Sequence, residues 1–241
     1  MKATATLSSR DFADIRRKMI LDHCKWDPQV GDVSTLADFA LVMQADAWSE
    51  LARLAEQLTA ELLTVETQLL AYPTLWPRLG LPAPLARALR RNRPTPAAAR
   101  VMRFDFHPTW TGWQISEVNS DVPGGYTEGA AFTQLMAAAL PGTRPAGNPL
   151  QAVTEALGEG TIGLLSAAGY MEDHQVIATL AGALRQSGRQ VVLANPAQVE
   201  WRHGRASVNG NPVDAIVRFF QAEWLPTVRG PWERFLTGGL T

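Results

Sequence analysis

Residues 103–129 read RFDFHPTWTGWQISEVNSDVPGGYTEG. Two runs, RFDF and WQISEVN, alternate with the period of a strand on either side of a polar HPTWTG turn, and that pattern predicts a β-hairpin. Side chains two apart on a strand share a face. Arg103 and Asp105 therefore point one way and Met102, Phe104 and Phe106 the other, while Trp113, Ile115, Glu117 and Asn119 fall together. With the turn centred near Trp110, Arg103 lies roughly opposite Glu117, and one sheet face collects Arg103, Asp105, Glu117 and Asn119. Two carboxylates and an amide carbonyl suit a hard ion such as Mg²⁺, which keeps water and phosphate oxygens as its remaining ligands. The planar fork of Arg103 suits phosphate charge. The stretch then passes through Gly124 and Gly125 directly into a predicted helix over residues 126–140, with Thr127 as its cap and Pro141 closing it. Glycine lets backbone approach a ligand closely, and a helix N-terminus receives anions, including a carboxylate or a developing oxyanion.

Upstream, residues 34–70 repeat apolar side chains at three and four, with Leu51, Leu54, Leu58, Leu62, Val65 and Leu69 on one stripe. This predicts a long helix capped at Ser34 and ended by Pro73. Residues 72–96 are dense in proline and predict an irregular connection with one short helix over 85–90. Downstream, PGTRPAGNP at 141–149 reads as a linker. The buried strand TIGLLSA, the amphipathic helix EDHQVIATLAGALRQSG and the buried strand QVVLANP then make a βαβ unit with parallel strands and a right-handed crossover. A polar hairpin and a last apolar strand over 215–220 follow. The expected fold is α/β in the second half and mixed α+β in the first, behind a helical N-terminus.

Composition bounds the function. At 46% hydrophobic and 19% charged residues over 241, the chain has an ordinary globular make-up and not a disordered one. A formal net charge of −1 provides no global field for nucleic acid or an anionic membrane. No apolar run approaches the ~20 residues that span a bilayer. One cysteine, Cys24, excludes an internal disulfide, and the N-terminus has no signal-peptide core, which points to the cytoplasm. Lysine occurs only at positions 2, 18 and 25, so the rest of the chain supplies arginine alone as a permanent cation.

RFDF followed by EVNSDVPGG ahead of a helix resembles the end of the ATP-grasp catalytic core, as in D-alanine ligases. The twelve-residue step from Asp105 to Glu117 and the NSDVP run are more similar to the glutathionylspermidine synthase group, a circularly permuted ATP-grasp branch. In that branch the metal-binding strands precede the Rossmann-like pre-ATP-grasp βαβ domain, and a lysine-bearing half follows it. DAIVRFFQAEWLP resembles the run that closes the pre-ATP-grasp domain. The resemblance covers about the last three-fifths of the chain. It implies an ATP-dependent carboxylate–amine ligase that forms a C–N bond through an acyl phosphate. Asp105, Glu117 and Asn119 would hold Mg²⁺, Arg103 would contact the nucleotide phosphates, and Asp121, Gly124 and Gly125 would hold substrate. The synthases carry a hydroxyl-bearing pair where this chain has Gly124 and Gly125, which is nearer to the D-alanine ligase loop. The implied division is a helical region plus metal-binding half at 1–145, a pre-ATP-grasp domain at 146–226 and the start of a missing ATP-grasp half at 227–241. The absence of lysine after Lys25 leads to the expectation of a fragment or split subunit that is inactive alone, with small carboxylate and amine substrates as partners.

Simpler readings stand beside these. Arg103, Asp105, Glu117 and Asn119 could be solvated cross-strand pairs worth about 0.2–1 kcal/mol each. Asp105 and Glu117 could be the acid and base of a hydrolase. The whole could be a degenerate, non-catalytic module that binds a small anion or a protein partner. Asp121 either orients its loop, binds substrate or caps a turn. Cys24 is expected to be inert, His107 to serve the hairpin turn, and Glu172 and Asp173 to complement the macrodipole of their helix.

Overall fold

The computed structural model describes residues 1–91 and 100–237. Strand β1 (Lys2–Ala3) leads into helix α1 (Ser9–Asp22), where the Ser8 hydroxyl accepts from the Asp11 N–H and satisfies one of the orphan donors of a helix start. Strands β2 (Gln29–Val30) and β3 (Val33–Ser34) form a small hairpin, and β4 (Leu41–Val42) returns to pair with β1. Helix α2 (Ala45–Ala71) begins well beyond the cap expected at Ser34. The reason is local: Leu36 is buried against Ile15 and Met19 of α1, and the Ser34 hydroxyl closes a turn around Leu36 instead of starting a helix. The stripe on α2 holds in part, with Leu51 buried and Val65 49% exposed. Trp76 fills the bend after α2, its indole N–H donating to the Leu69 carbonyl, and α3 (Ala83–Arg91) follows. The end of the proline-rich connection, residues 92–96, lies with residues 97–99 outside the described residues.

The hairpin is formed by β5 (Arg103–Thr109) and β6 (Gly112–Asn119). The glycine loop leads into a single π-helical stretch, Glu128–Phe132, continued by α4 (Thr133–Ala139). Within the expected linker, Asn148 caps α5 (Pro149–Ala156) by accepting from the Gln151 N–H. The βαβ unit is present as β7 (Thr161–Ser166), α6 (Met171–Gln186) and β8 (Gln190–Ala194). Strands β9 (Val199–Arg202), β10 (Arg205–Val208) and β11 (Asn211–Pro212) form a separate antiparallel sheet, and β12 (Ala215–Phe219) returns to pair in parallel with β7. Helix α7 (Arg234–Thr237) ends the described chain. The result is a mixed helix and strand fold with several small sheets.

The apolar character of β7 follows from its position. It is the central strand in the order β12-β7-β8, and a parallel strand covered on both faces reads as a continuous hydrophobic run. Ile162 and Leu164 pack on Val176, Leu180 and Leu184 of α6, while Leu165 faces Val208, Val213, Phe220 and Leu225. Packing runs across the boundary expected at residues 145 and 146, because Tyr126 and Ala130 belong to the same core as Ile162 and Leu164. It also reaches the segment expected to open a missing half: the Phe235 ring meets Trp201 and Phe220 edge-on. Residues 238–241 of that segment lie outside the described residues. No helix among the described residues is long and apolar enough to cross a membrane.

Gly163 lets the β9–β11 layer approach the parallel sheet, since a Cβ there would stand 3.0 Å from Val208 Cγ2. Gly163→Ala is therefore expected to destabilise the chain by about 1–3 kcal/mol in urea titration. Gly182→Ala in α6, with nothing within 4 Å of the added Cβ, should instead stabilise it by about 0.5–1 kcal/mol. Equal effects of the two substitutions would overturn the close-approach account.

Candidate functional site

The hairpin closes through a two-residue turn, with Thr109 paired to Gly112. The ladder runs regularly to Phe106 opposite Ile115 and then shifts, so that Asp105 opposes Glu117 and Arg103 opposes Asn119. Ser116 is the extra residue of a β-bulge, and its hydroxyl bonds the His107 Nε2 and the Asp105 carbonyl. The bulge corrects two expectations. Arg103 faces Asn119 and not Glu117, and Trp113 and Ile115 do not share a face with Glu117 and Asn119. They stand opposite Pro108 and Phe106, on the side of the stacked Phe104 and Phe106 rings. The grouping of Arg103, Asp105, Glu117 and Asn119 on one face survives because the bulge re-aims the end of β6. His107, placed in the turn by sequence, lies within β5.

This face is internally compensated. Arg103 donates from Nε to Asp105 Oδ1 at 2.8 Å and from a terminal nitrogen to Oδ2 at 3.0 Å, a bidentate pair, and lies 3.6 Å from Glu117 Oε1. The Arg103 hydrogen bonds hold the Asp105 carboxyl below the usual carboxylate range, and Asp105 raises the guanidinium in return. The carboxylates of Asp105 and Glu117 are partly exposed, so a ligand can reach both.

The other candidates are engaged with the loop. Asn119 Oδ1 accepts from the N–H groups of Asp121 and Val122, forming an Asx turn that starts the glycine loop. Asp121 accepts from Arg218 of β12 and, at 2.9 Å, from the Ala222 N–H, so it clasps the hairpin to the end of the parallel sheet. Of the three alternatives for Asp121, loop orientation is the one its contacts describe. Gly125 has φ +93 and starts the helix by accepting from the Gly129 N–H, while Gly124 has no such backbone requirement and open space around it. Thr127 is not a cap. It sits inside the helix, fully buried, with its hydroxyl 2.9 Å from that of Thr179 on α6.

Sequence reading missed three participants. Arg218 is one; a charged residue inside the apolar strand AIVRF is itself a signal that a partner is near. Lys25 is the second: buried, it bridges Asp27 at 2.8 Å and Glu128 at 2.5 Å and pins the N-terminal segment to the start of the helix after the glycine loop. Burial alone would pull its pKa down, but the bonds to Asp27 and Glu128 outweigh that and leave it raised. The third is Gln175, whose Oε1 accepts from the Trp26 N–H. In sequence Lys25 stands out only as the last lysine of the chain. Cys24, expected to be inert, has a thiol pushed up by burial.

A metal test follows from these contacts. Among the described residues no three His, Cys, Asp or Glu side chains group as a metal cage. Asp105 and Glu117 across one ladder still suit Mg²⁺ in the manner of an ion held by one or two carboxylates with phosphate and water completing its shell. Asn119 is outside that set while its oxygen holds the loop. Compared with known protein families the chain matches none, and no curated protein is significantly similar to it.

Two predictions follow. Carboxyl NMR titration should find Asp105 below the ordinary range and find it returned upward in Arg103→Gln. A depressed folded pKa gives stability that is present above the unfolded value and lost as pH falls through the folded one, so the mutation should flatten the acid limb of stability. An unchanged Asp105 titration would contradict the bidentate pair. In the loop, Gly125→Ala should cost about 1–2 kcal/mol for its left-handed backbone, whereas Gly124→Ala should leave the melting midpoint nearly unchanged.

Proposed function

We propose that the chain provides the metal- and phosphate-binding half of an ATP-dependent carboxylate–amine ligase of the circularly permuted ATP-grasp type, with the glutathionylspermidine synthase group as the nearest pattern. The observation that carries this reading is the single hairpin face bearing Arg103, Asp105 and Glu117, followed at once by the Gly124–Gly125 loop and a helix start. Asp105 and Glu117 would hold Mg²⁺, which supplies charge neutralisation of the nucleotide phosphates. Arg103 already touches both carboxylates, and its fork can exchange Asp105 for a phosphoryl oxygen without leaving the face. Gly124, open and unstrained, offers backbone N–H to the oxygen of an activated carboxylate. In this reaction ATP phosphorylates the substrate carboxylate and an amine displaces the phosphate to form the C–N bond. Asp121 would be a positioning residue, holding the loop against β12 while substrate is bound.

One observation favours a second reading, a non-catalytic module. Arg103, Asn119 and Asp121 are all engaged internally, and Lys25 is occupied in a structural bridge. Such a module would bind a small anion or a protein partner and turn nothing over.

Calorimetry with Mg·ATP separates the readings. The ligase reading expects measurable binding that Asp105→Asn and Glu117→Gln each weaken about tenfold or more, with the melting midpoint maintained in Glu117→Gln and lowered in Asp105→Asn only by the small contribution of its partly exposed pair with Arg103. It also expects little ATP hydrolysis without a lysine-bearing companion segment. Binding that ignores Mg²⁺ and both substitutions would overturn the metal role and leave the module.

A further inference from the structure

A cavity of about 850 Å³ lies between two parts of the chain. One wall is the segment from Phe39 through β4 into the first turns of α2, and the other is α4 with the turn that follows it. Its floor belongs to the core that α1 shares with α4: Met136 is buried there, and Ala40, Phe132 and Leu140 pack against the same cluster. Around that floor Phe39, Leu41 and Trp48 remain 39%, 59% and 44% exposed. Single exposed apolar side chains are ordinary, but three on one concavity with an apolar floor mark a binding surface, and the volume is that of a small-molecule pocket. None of the lining residues belongs to the hairpin or to the glycine loop.

Three hydroxyls line the cavity, and each is spent on a main-chain carbonyl. Ser49 donates to Ala45 at 2.9 Å, Thr133 to Glu128 at 3.0 Å and Thr143 to Leu140 at 2.8 Å. Arg144 differs. Among the described residues it is the one charged side chain of the lining, it is exposed, and it has no hydrogen bond or ion pair. Its place is set by a turn at the end of α4, where the Thr143 N–H donates to the Leu140 carbonyl at 3.2 Å. An apolar volume with one unpaired cation and no anion selects a ligand of complementary build, an apolar body with a single negative head group. The guanidinium fork suits a carboxylate or a similar oxyanion.

We propose that this cavity binds a single-chain amphiphile of the fatty-acid class, its chain lying against Leu41, Trp48, Phe132, Met136 and Leu140 and its anionic head group meeting Arg144. The ligand is held outside the hairpin and the glycine loop and enters no reaction there, so the proposal does not rest on the ligase reading. Because its chain packs on α4 and β4, it binds the folded protein and stabilises it by mass action.

The test uses sodium octanoate and decanoate below micelle-forming concentrations, with octyltrimethylammonium chloride as a chain of the same length under the opposite charge, at constant ionic strength. Calorimetry should show decanoate binding about tenfold or more tighter than octanoate for its two added methylenes. Octanoate should bind about threefold or more tighter than the octyl cation. Arg144→Gln should erase the preference for the anion and keep the gain from chain length, and Arg144→Glu should reverse the preference. Both substitutions fall on an exposed residue and should leave the melting midpoint in place. Trp48, on the wall, should change its emission as decanoate binds, and Trp48→Phe should abolish that change. Equal affinity for the two chain lengths, equal affinity for the two charges, an unaltered charge preference in Arg144→Gln, or an emission change that survives in Trp48→Phe would each overturn the proposal. None of these variants touches Asp105 or Glu117, so Mg·ATP calorimetry on them tells a failure here from a failure of the ligase reading.

Discussion

The Asp121 carboxylate is the contact on which the arrangement depends. One side chain takes the Arg218 guanidinium, which also donates to the Phe220 carbonyl, and the Ala222 N–H. A two-stranded hairpin is marginal by itself in water. Here its exit is tied to the end of β12, and the helix that follows buries Tyr126 and Ala130 in the core of the parallel sheet. The glycine loop lies between those two attachments, so its position is set at both ends. Lys25, bridging Asp27 and Glu128, adds a third tie from the N-terminal segment.

The acidic face of the hairpin and the orphaned oxygens beyond β7 and β12 differ in physical state. On the hairpin, Arg103 already holds Asp105 through two hydrogen bonds and lies near Glu117, so a metal–nucleotide ligand would have to trade one set of charge-assisted bonds for another in partly exposed surroundings. Beyond the sheet, Asp173 Oδ2 and Gln221 Oε1 are buried without a hydrogen-bond partner among the described residues, which is costly for an acceptor.

Periodicity made the hairpin, the βαβ unit and the last apolar strand readable, because each is set by local alternation and by burial on one or both faces, whereas the parallel return of that strand to β7 is a product of topology. The bulge at Ser116 was not, since one inserted residue leaves the alternation on either side intact and only shifts its phase. The late start of α2 was hidden for a related reason: Leu36 fits a helical stripe, and only its burial against Ile15 and Met19 shows that it serves another element. At the site, the shared face of Arg103, Asp105, Glu117 and Asn119 was legible, but the competing jobs were not. The Asx turn at Asn119 is local and could have been suspected from NSD, whereas the pairing of Asp121 with a residue 97 positions away is a product of topology.

The central claim, that the Asp121 clasp couples hairpin and parallel sheet, is tested most directly by a double-mutant cycle of Asp121→Asn and Arg218→Gln in urea unfolding. A coupling free energy of about 1 kcal/mol or more is predicted for this half-buried, hydrogen-bonded pair. Additivity within about 0.3–0.5 kcal/mol would show that the hairpin and the sheet are held together without it.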